Sequence, residues 1–119
     1  MELWQAILLG CQIRKQSYGP GAILGDGSCA IEAANEAIGI PLNQKCFPYA
    51  VKAWPFLNNE VQCPDCKRES AMYWIIATCL NDRHHWTRER IALEFVKPIE
   101  ESLTPKPIEV TLPAVGVEA

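Results

Sequence analysis

Residues 63–86 read CPDCKRESAMYWIIATCLNDRHHW, and the reading of this stretch decides what kind of fold the chain can have. Two residues separate Cys63 from Cys66, twelve separate Cys66 from Cys79, and four separate Cys79 from His84. A two-residue gap lets a tight turn aim two thiolates at one point, and Pro64 suits such a turn. A helix that follows can carry a second pair of donors back across it. Zinc takes four sulfur or imidazole ligands in a tetrahedron, and a Cys-x2-Cys pair followed about a dozen residues later by a second pair is the usual layout. The spacing predicts a zinc knuckle with Cys63, Cys66, Cys79 and His84 as ligands; His85 also satisfies the last interval. Four protein ligands leave no position for water, so the predicted role is structural rather than catalytic.

Two other readings of the same residues stand beside this one. Cysteines are often buried as small apolar groups, and Cys79 falls on an apolar helical face. A Cys-x-x-Cys pair can also be a redox couple, but there a helix begins at the first cysteine and lowers its pKa. Here the helix is predicted to start only at Ser70.

The chain has 119 residues, of which 49% are hydrophobic and 21% charged. Those proportions predict one folded domain and exclude global disorder. A chain this short buries a thin core and gains from a metal. No apolar run approaches the ~20 residues that span a bilayer. Glu2 stands where a signal peptide would be positively charged, and no small-residue cleavage site follows. The expectation is a cytoplasmic protein with no membrane partner.

Residues 1–97 carry ten basic and ten acidic side chains, so the net charge of −3 lies wholly beyond them, where Lys106 faces Glu100, Glu101, Glu109 and Glu118. Non-specific nucleic-acid binding draws on a basic surface. Lys67, Arg68, Arg83, Arg88 and Arg90 are interleaved with Asp65, Glu69, Asp82 and Glu89, which predicts a mixed, solvated face. A DNA-reading finger also needs a polar helix to reach base edges, whereas this one offers Met72, Tyr73, Trp74, Ile75 and Ile76. Ser70 occupies the place of the large aromatic that such fingers carry four residues past the second cysteine. A nucleic-acid-binding, finger-like regulator is therefore an alternative reading only.

Elsewhere the pattern predicts a first helix over 2–9 with Gly10 as its stop, and short extended pieces near Ile13 and Ala22–Leu24 that can pair around Gly25-Asp26-Gly27. A second helix is expected with Ser28 as N-cap, an alanine-rich face (Ala30, Ala33, Ala34, Ala37) and Gly39 as left-handed stop before Pro41. The aromatic run from Phe47 to Leu57 predicts a short helix or turn, broken at Pro55, whose aromatic side chains plug the core. Val61-Gln62 predicts a short strand. Ser70 is expected to cap a helix reaching about Leu80. Thr87 caps the last helix, with Trp86 and Ile91 spaced as a hydrophobic staple. Ile91, Ala92, Phe95 and Val96 form its buried stripe, and Pro98 is expected to end it. Residues 98–119, with Pro105, Pro107 and Pro113, predict an extended acidic tail whose IEVTL alternation can add to a sheet edge or a partner.

A second candidate chemistry sits at GDGSCAIEAA. A cysteine at a helix N-terminus gains thiolate character, and Cys29 with a distant histidine is the layout of many thiol hydrolases. Gly25-Asp26-Gly27-Ser28-Cys29 resembles the nucleophile motif of ovarian-tumour-type deubiquitinases. Those enzymes follow the cysteine with large apolar and aromatic residues, whereas Ala30, Ile31 and Glu32 follow here. If His84 binds metal, only His85 is left as base. Cys29 and His85 are thus the catalytic pair of a thiol-hydrolase alternative, against a small buried cysteine beneath an alanine-rich helix.

Three segments, AILLGCQIRKQSYG, GSCAIEAANEAIG and CPDC followed by LNDRHHWTRERIA, resemble a family of short bacterial and phage proteins over about residues 5–96. The family shows a Cys-Pro-x-Cys knuckle and a Leu-Asn-Asp-x-His-x-Trp-[Ser/Thr]-Arg-Glu-x-Ile-Ala run. The resemblance implies cysteine ligands at Cys63 and Cys66 and places the family's histidine on His84. At the position of Cys79 the family often has His, an exchange of one zinc ligand for another. Lys67 departs from the Gly common after such knuckles. The resemblance implies no activity. Together these readings predict a small α+β, mostly α, single domain over 1–97 stabilised by a zinc knuckle, followed by the tail. They also predict a cytoplasmic accessory module, of bacterial or phage origin by the resemblance, that contacts another protein.

Overall fold

The computed structural model describes residues 1–18, 27–41 and 46–103. Helix α1 spans Leu3–Gly10, α2 Ala30–Ala37 and α3 Cys46–Ala53, followed by a 3-10 turn at Pro55–Asn58. Strands β1 (Glu60–Gln62) and β2 (Glu69–Ala71) form an antiparallel hairpin, with Glu60 opposite Ala71, Val61 opposite Ser70 and Gln62 opposite Glu69. Helix α4 covers residues 72–83. Its first turn, Met72–Trp74, is α, and the rest, Ile75–Arg83, winds as the wider π form. Helix α5 covers residues 88–103 and has a π segment at Ile91–Val96 between α-helical ends. Among the described residues the fold is mostly helical with one two-stranded sheet. None of these helices is long and apolar enough to cross a membrane.

The core gathers Leu3 and Ile7 of α1, Ile31 of α2, Trp54 and Leu57, Met72, Ile75, Ile76 and Leu80 of α4, and Ile91 and Val96 of α5. The expected stripe on α5 is buried throughout, and the staple residues Trp86 and Ile91 are both inside. Thr87 Oγ1 accepts from the Arg90 amide at 3.0 Å, the predicted cap. Gly39 has the left-handed φ of +95° expected of a helix stop. The aromatic run after Phe47 is only partly a plug, because Trp54 is buried while Phe47 and Tyr49 are exposed.

Four expectations are corrected. Gly10 does not stop a helix from outside: it is the last residue of α1 and lies against the backbone of α2, where a Cβ would fall 1.9 Å from the Ala33 carbonyl oxygen. At this point α1 and α2 meet backbone to backbone. The cap of α2 is Cys29, not Ser28: Cys29 Sγ accepts from the Glu32 amide at 3.5 Å while Glu32 Oε1 accepts from the Cys29 amide at 2.9 Å. Ser70 is a strand residue, and its place in the ladder opposite Val61 delays α4 until Met72. Pro98 does not end α5, which continues to Leu103. A proline ring inside a helix clashes with the carbonyl four residues back, and the π segment at Ile91–Val96 opens the helix at that point.

Continuing α5 has a purpose that the proline obscured. Glu100, buried, accepts from the amides of Leu3 at 2.7 Å and Trp4 at 3.1 Å, so a side chain of α5 satisfies the free donors that open α1. Residues 98–103 are therefore part of the folded body, and the remainder of the expected tail lies outside the described residues, as does the pairing expected for Ala22–Leu24. Among the described residues nearby, Gln16 and Ser28 form a parallel bridge.

Candidate metal centre

The hairpin turn is built from its own backbone bonds. The Cys63 amide donates to the Arg68 carbonyl at 2.8 Å, and the Lys67 amide donates back to the Cys63 carbonyl at 3.0 Å. To close this loop Lys67 takes a φ of +66°, the left-handed region where a side chain costs conformational energy. The loop leaves Cys63 buried and Cys66 at the surface, both facing α4.

The π form of α4 supplies the other two donors. In an α-helix each residue turns about 100°, so residues five apart point about 140° away from each other. The π winding closes i to i+5, and here the His84 amide donates to the Cys79 carbonyl at 2.8 Å. Cys79 and His84 therefore end on one side of the helix. The ligand atoms of Cys63, Cys66, Cys79 and His84 all lie within 4.8 Å of one another, and this constellation can hold a metal ion. All four residues predicted from spacing are brought together. His85, the alternative fourth ligand, turns away: it has a φ of +55° and its exposed ring stacks on Tyr18 at 4.3 Å.

The electrostatics of the cluster are those of donors drawn together. Cys66 Sγ and Cys79 Sγ stand 3.7 Å apart as free thiols. The Arg68 amide, and after it the neighbouring His84 imidazole, pull the Cys66 thiol down to about 6. Burial, reinforced by the other two sulfurs, pushes Cys79 up to about 12. A metal ion would reverse that second shift, because a bound thiol is deprotonated outright. His84 Nε2 is buried and has no hydrogen-bond partner, an expensive state for a polar atom in a folded interior. Three sulfurs and one orphaned imidazole nitrogen fit a metal of borderline softness.

The surrounding residues of LNDRHHWTRE lock the knuckle half to the N-terminal half. Buried Asn81 donates from Nδ2 to the Ser17 carbonyl at 2.9 Å and accepts from Gln16 Nε2 at 2.8 Å; the same Gln16 nitrogen donates to the Trp86 carbonyl at 2.7 Å. Arg88, 4% exposed, donates from Nη1 to Ser28 Oγ at 2.8 Å and from Nη2 to the Arg14 carbonyl at 2.7 Å. Trp86 Nε1 donates to Asp65 Oδ2 at 2.9 Å, tying the knuckle turn to the start of α5. Spacing alone missed Asp65, Gln16, Asn81 and Arg88. The available signal was the density of polar residues in a stretch otherwise bound for the core.

Cys29 and His85 have structural engagements of their own, the first in the α2 cap and the second on Tyr18. Comparisons with family models, curated proteins and solved structures find no match to the chain.

Proposed function

We propose that the chain is a zinc-stapled accessory domain whose metal is structural and whose biological role is contact with another protein. The observation that carries the zinc reading is the convergence of Cys63, Cys66, Cys79 and His84, with the buried Nε2 of His84 lacking any partner. A zinc–sulfur bond of about 2.3 Å implies tetrahedral sulfur–sulfur edges of about 3.8 Å, and the Cys66–Cys79 pair stands at 3.7 Å. The wider members of the set need to close by only ~1 Å. Four protein donors complete the tetrahedron, which argues for stability rather than hydrolysis at the metal.

The contact role is supported by what the metal half does with its helix. Hairpin followed by helix is the order of a DNA-reading finger, yet Met72, Ile75, Ile76 and Leu80 of α4 are buried in the chain's own core. The described body also carries no excess of positive charge to meet phosphate. The capping duty of Cys29 and the stacking of His85 weigh against the thiol-hydrolase alternative.

Metal analysis of protein purified without added zinc tests the first half of the reading, with one zinc per chain as the expected result. Chelation should then abolish the near-ultraviolet signal of buried Trp54 and Trp86. A metal-free preparation that still melts cooperatively overturns it. Capture from a native-host extract, run with wild type and with Cys63→Ser, tests the second half: a protein retained by the zinc-loaded form alone is expected. A gel shift at physiological salt would instead promote the nucleic-acid alternative.

A further inference from the structure

We infer that Asp65 is a positioning residue for the metal centre, and that it fixes His84 to coordinate through Nε2 with its proton held on Nδ1. This deepens the metal reading above and rests on it.

The geometry separates the two ring nitrogens. Nε2 is buried and has no partner, and His84 offers a ring nitrogen within 4.8 Å of the three sulfurs. Nδ1 lies 4.0 Å from Asp65 Oδ2. A neutral imidazole has one protonated and one bare nitrogen. A carboxylate accepts hydrogen bonds and cannot donate one when ionised, so the nitrogen facing Asp65 is the one that gains by carrying the proton. The bare lone pair is then on Nε2, the buried nitrogen that has no other partner. A histidine ligand that donates its second N–H to a carboxylate is oriented and made more basic by it.

Asp65 is itself held from two sides. It sits between the two cysteines of the knuckle, so the turn that aims the thiolates also aims the carboxylate. Its Oδ2 accepts from Trp86 Nε1 at 2.9 Å, and Trp86 is buried beneath the Arg90 guanidinium, 3.6 Å from the ring centroid. The ring therefore acts as a strut between α5 and the knuckle. The 4.0 Å separation is too long for a hydrogen bond.

The test uses full-length protein loaded with zinc alone. Long-range proton–nitrogen correlation spectra of the wild type report which ring nitrogen of His84 is metallated and which is protonated; Nε2 metallated and Nδ1 protonated is the expected result. Zinc affinity is measured by chelator competition for wild type, Asp65→Asn and Asp65→Ala. Loss of an outer-shell carboxylate costs about 10- to 100-fold in metal affinity. That loss is expected with stoichiometry still one per chain and the cobalt-substituted spectrum still tetrahedral, and Asp65→Glu is expected to restore part of it. Coordination through Nδ1, or an affinity for Asp65→Ala within twofold of wild type, overturns the assignment while leaving the metal site intact. No zinc bound by the wild type removes the metal reading itself, and the assignment with it.

Discussion

Substituting Gly10 by Ala should be among the most damaging single-methyl changes in this protein, although Ala is the better helix former. The added Cβ would lie 1.9 Å from the Ala33 oxygen and 2.3 Å from its carbonyl carbon, against about 3.4 Å for an ordinary contact. The shortfall of about 1.5 Å falls on backbone at both sides, so no rotamer change can relieve it. The helices must separate instead. A gap of 0.5–1 Å already forfeits about a quarter to a half of the dispersion well between packed atoms, and the seam that opens includes Leu3, Ala6 and Ile7. Overpacking costs about 1–3 kcal/mol, and two unyielding backbones put this site at the upper end. The gain in helix propensity from Gly to Ala returns at most ~1 kcal/mol. A net loss of about 2 kcal/mol should lower the urea midpoint of the zinc-loaded protein by roughly 1–2 M at a slope of about 1–1.5 kcal/mol per molar. Gly39→Ala is the control. Nothing lies within 4 Å of its Cβ position and only its φ of +95° resists substitution, so the loss there is that of left-handed strain, about 1–2 kcal/mol. An unchanged or raised midpoint for Gly10→Ala would show that the two helices do not meet backbone to backbone.

Lys67→Gly should stabilise the zinc-loaded protein by about 1 kcal/mol, because glycine takes the φ of +66° without the side-chain penalty; the urea midpoint measures it. His84→Ala should abolish stoichiometric zinc and the cooperative unfolding of the second half, since structural zinc binding is folding free energy of ~10 kcal/mol or more. His85→Ala should leave zinc content unchanged and cost only the stacking on Tyr18, and metal analysis of both variants separates them. For Glu100, burial raises the pKa above its ordinary 4.5 despite two amide donors that lower it. The folded state then holds that proton more tightly than the unfolded chain, so its stabilising contribution is complete below pH 4.5 and is lost as pH rises through the folded value. The stability difference between wild type and Glu100→Gln should shrink as pH increases over that window. A difference that grows with pH would show that the amides outweigh burial.

The Cys/His cluster was legible because ligand spacing is a local property: two cysteines on a turn and two donors at a helix end are fixed by a few residues each. Thr87, the Trp86–Ile91 staple, the stripe on α5 and the Gly39 stop were legible for the same reason. What pattern could not supply was contact across the chain. Gly10 has the same composition signal whether it stops a helix or admits a second one, and only the approach of Ala33 decides. Ser28 and Cys29 are both acceptable caps; Ser28 is withdrawn from the choice by the buried Arg88, sixty residues away. Pro98 reads as a terminator until the widened turn before it removes the clash. The π winding of α4 is likewise invisible to a count of intervals, yet it is what sets Cys79 and His84 on one side.

The hold of Glu100 on the first amides of α1 has a consequence for how the protein is made. A ribosome delivers Leu3 and Trp4 nearly a hundred residues before the carboxylate that caps them. Until then the amides of Leu3 and Trp4 lack this acceptor, and the Arg88 clamp on the Arg14 segment is missing as well. Closing of this small body therefore waits for α5 and cannot be completed from α1 alone.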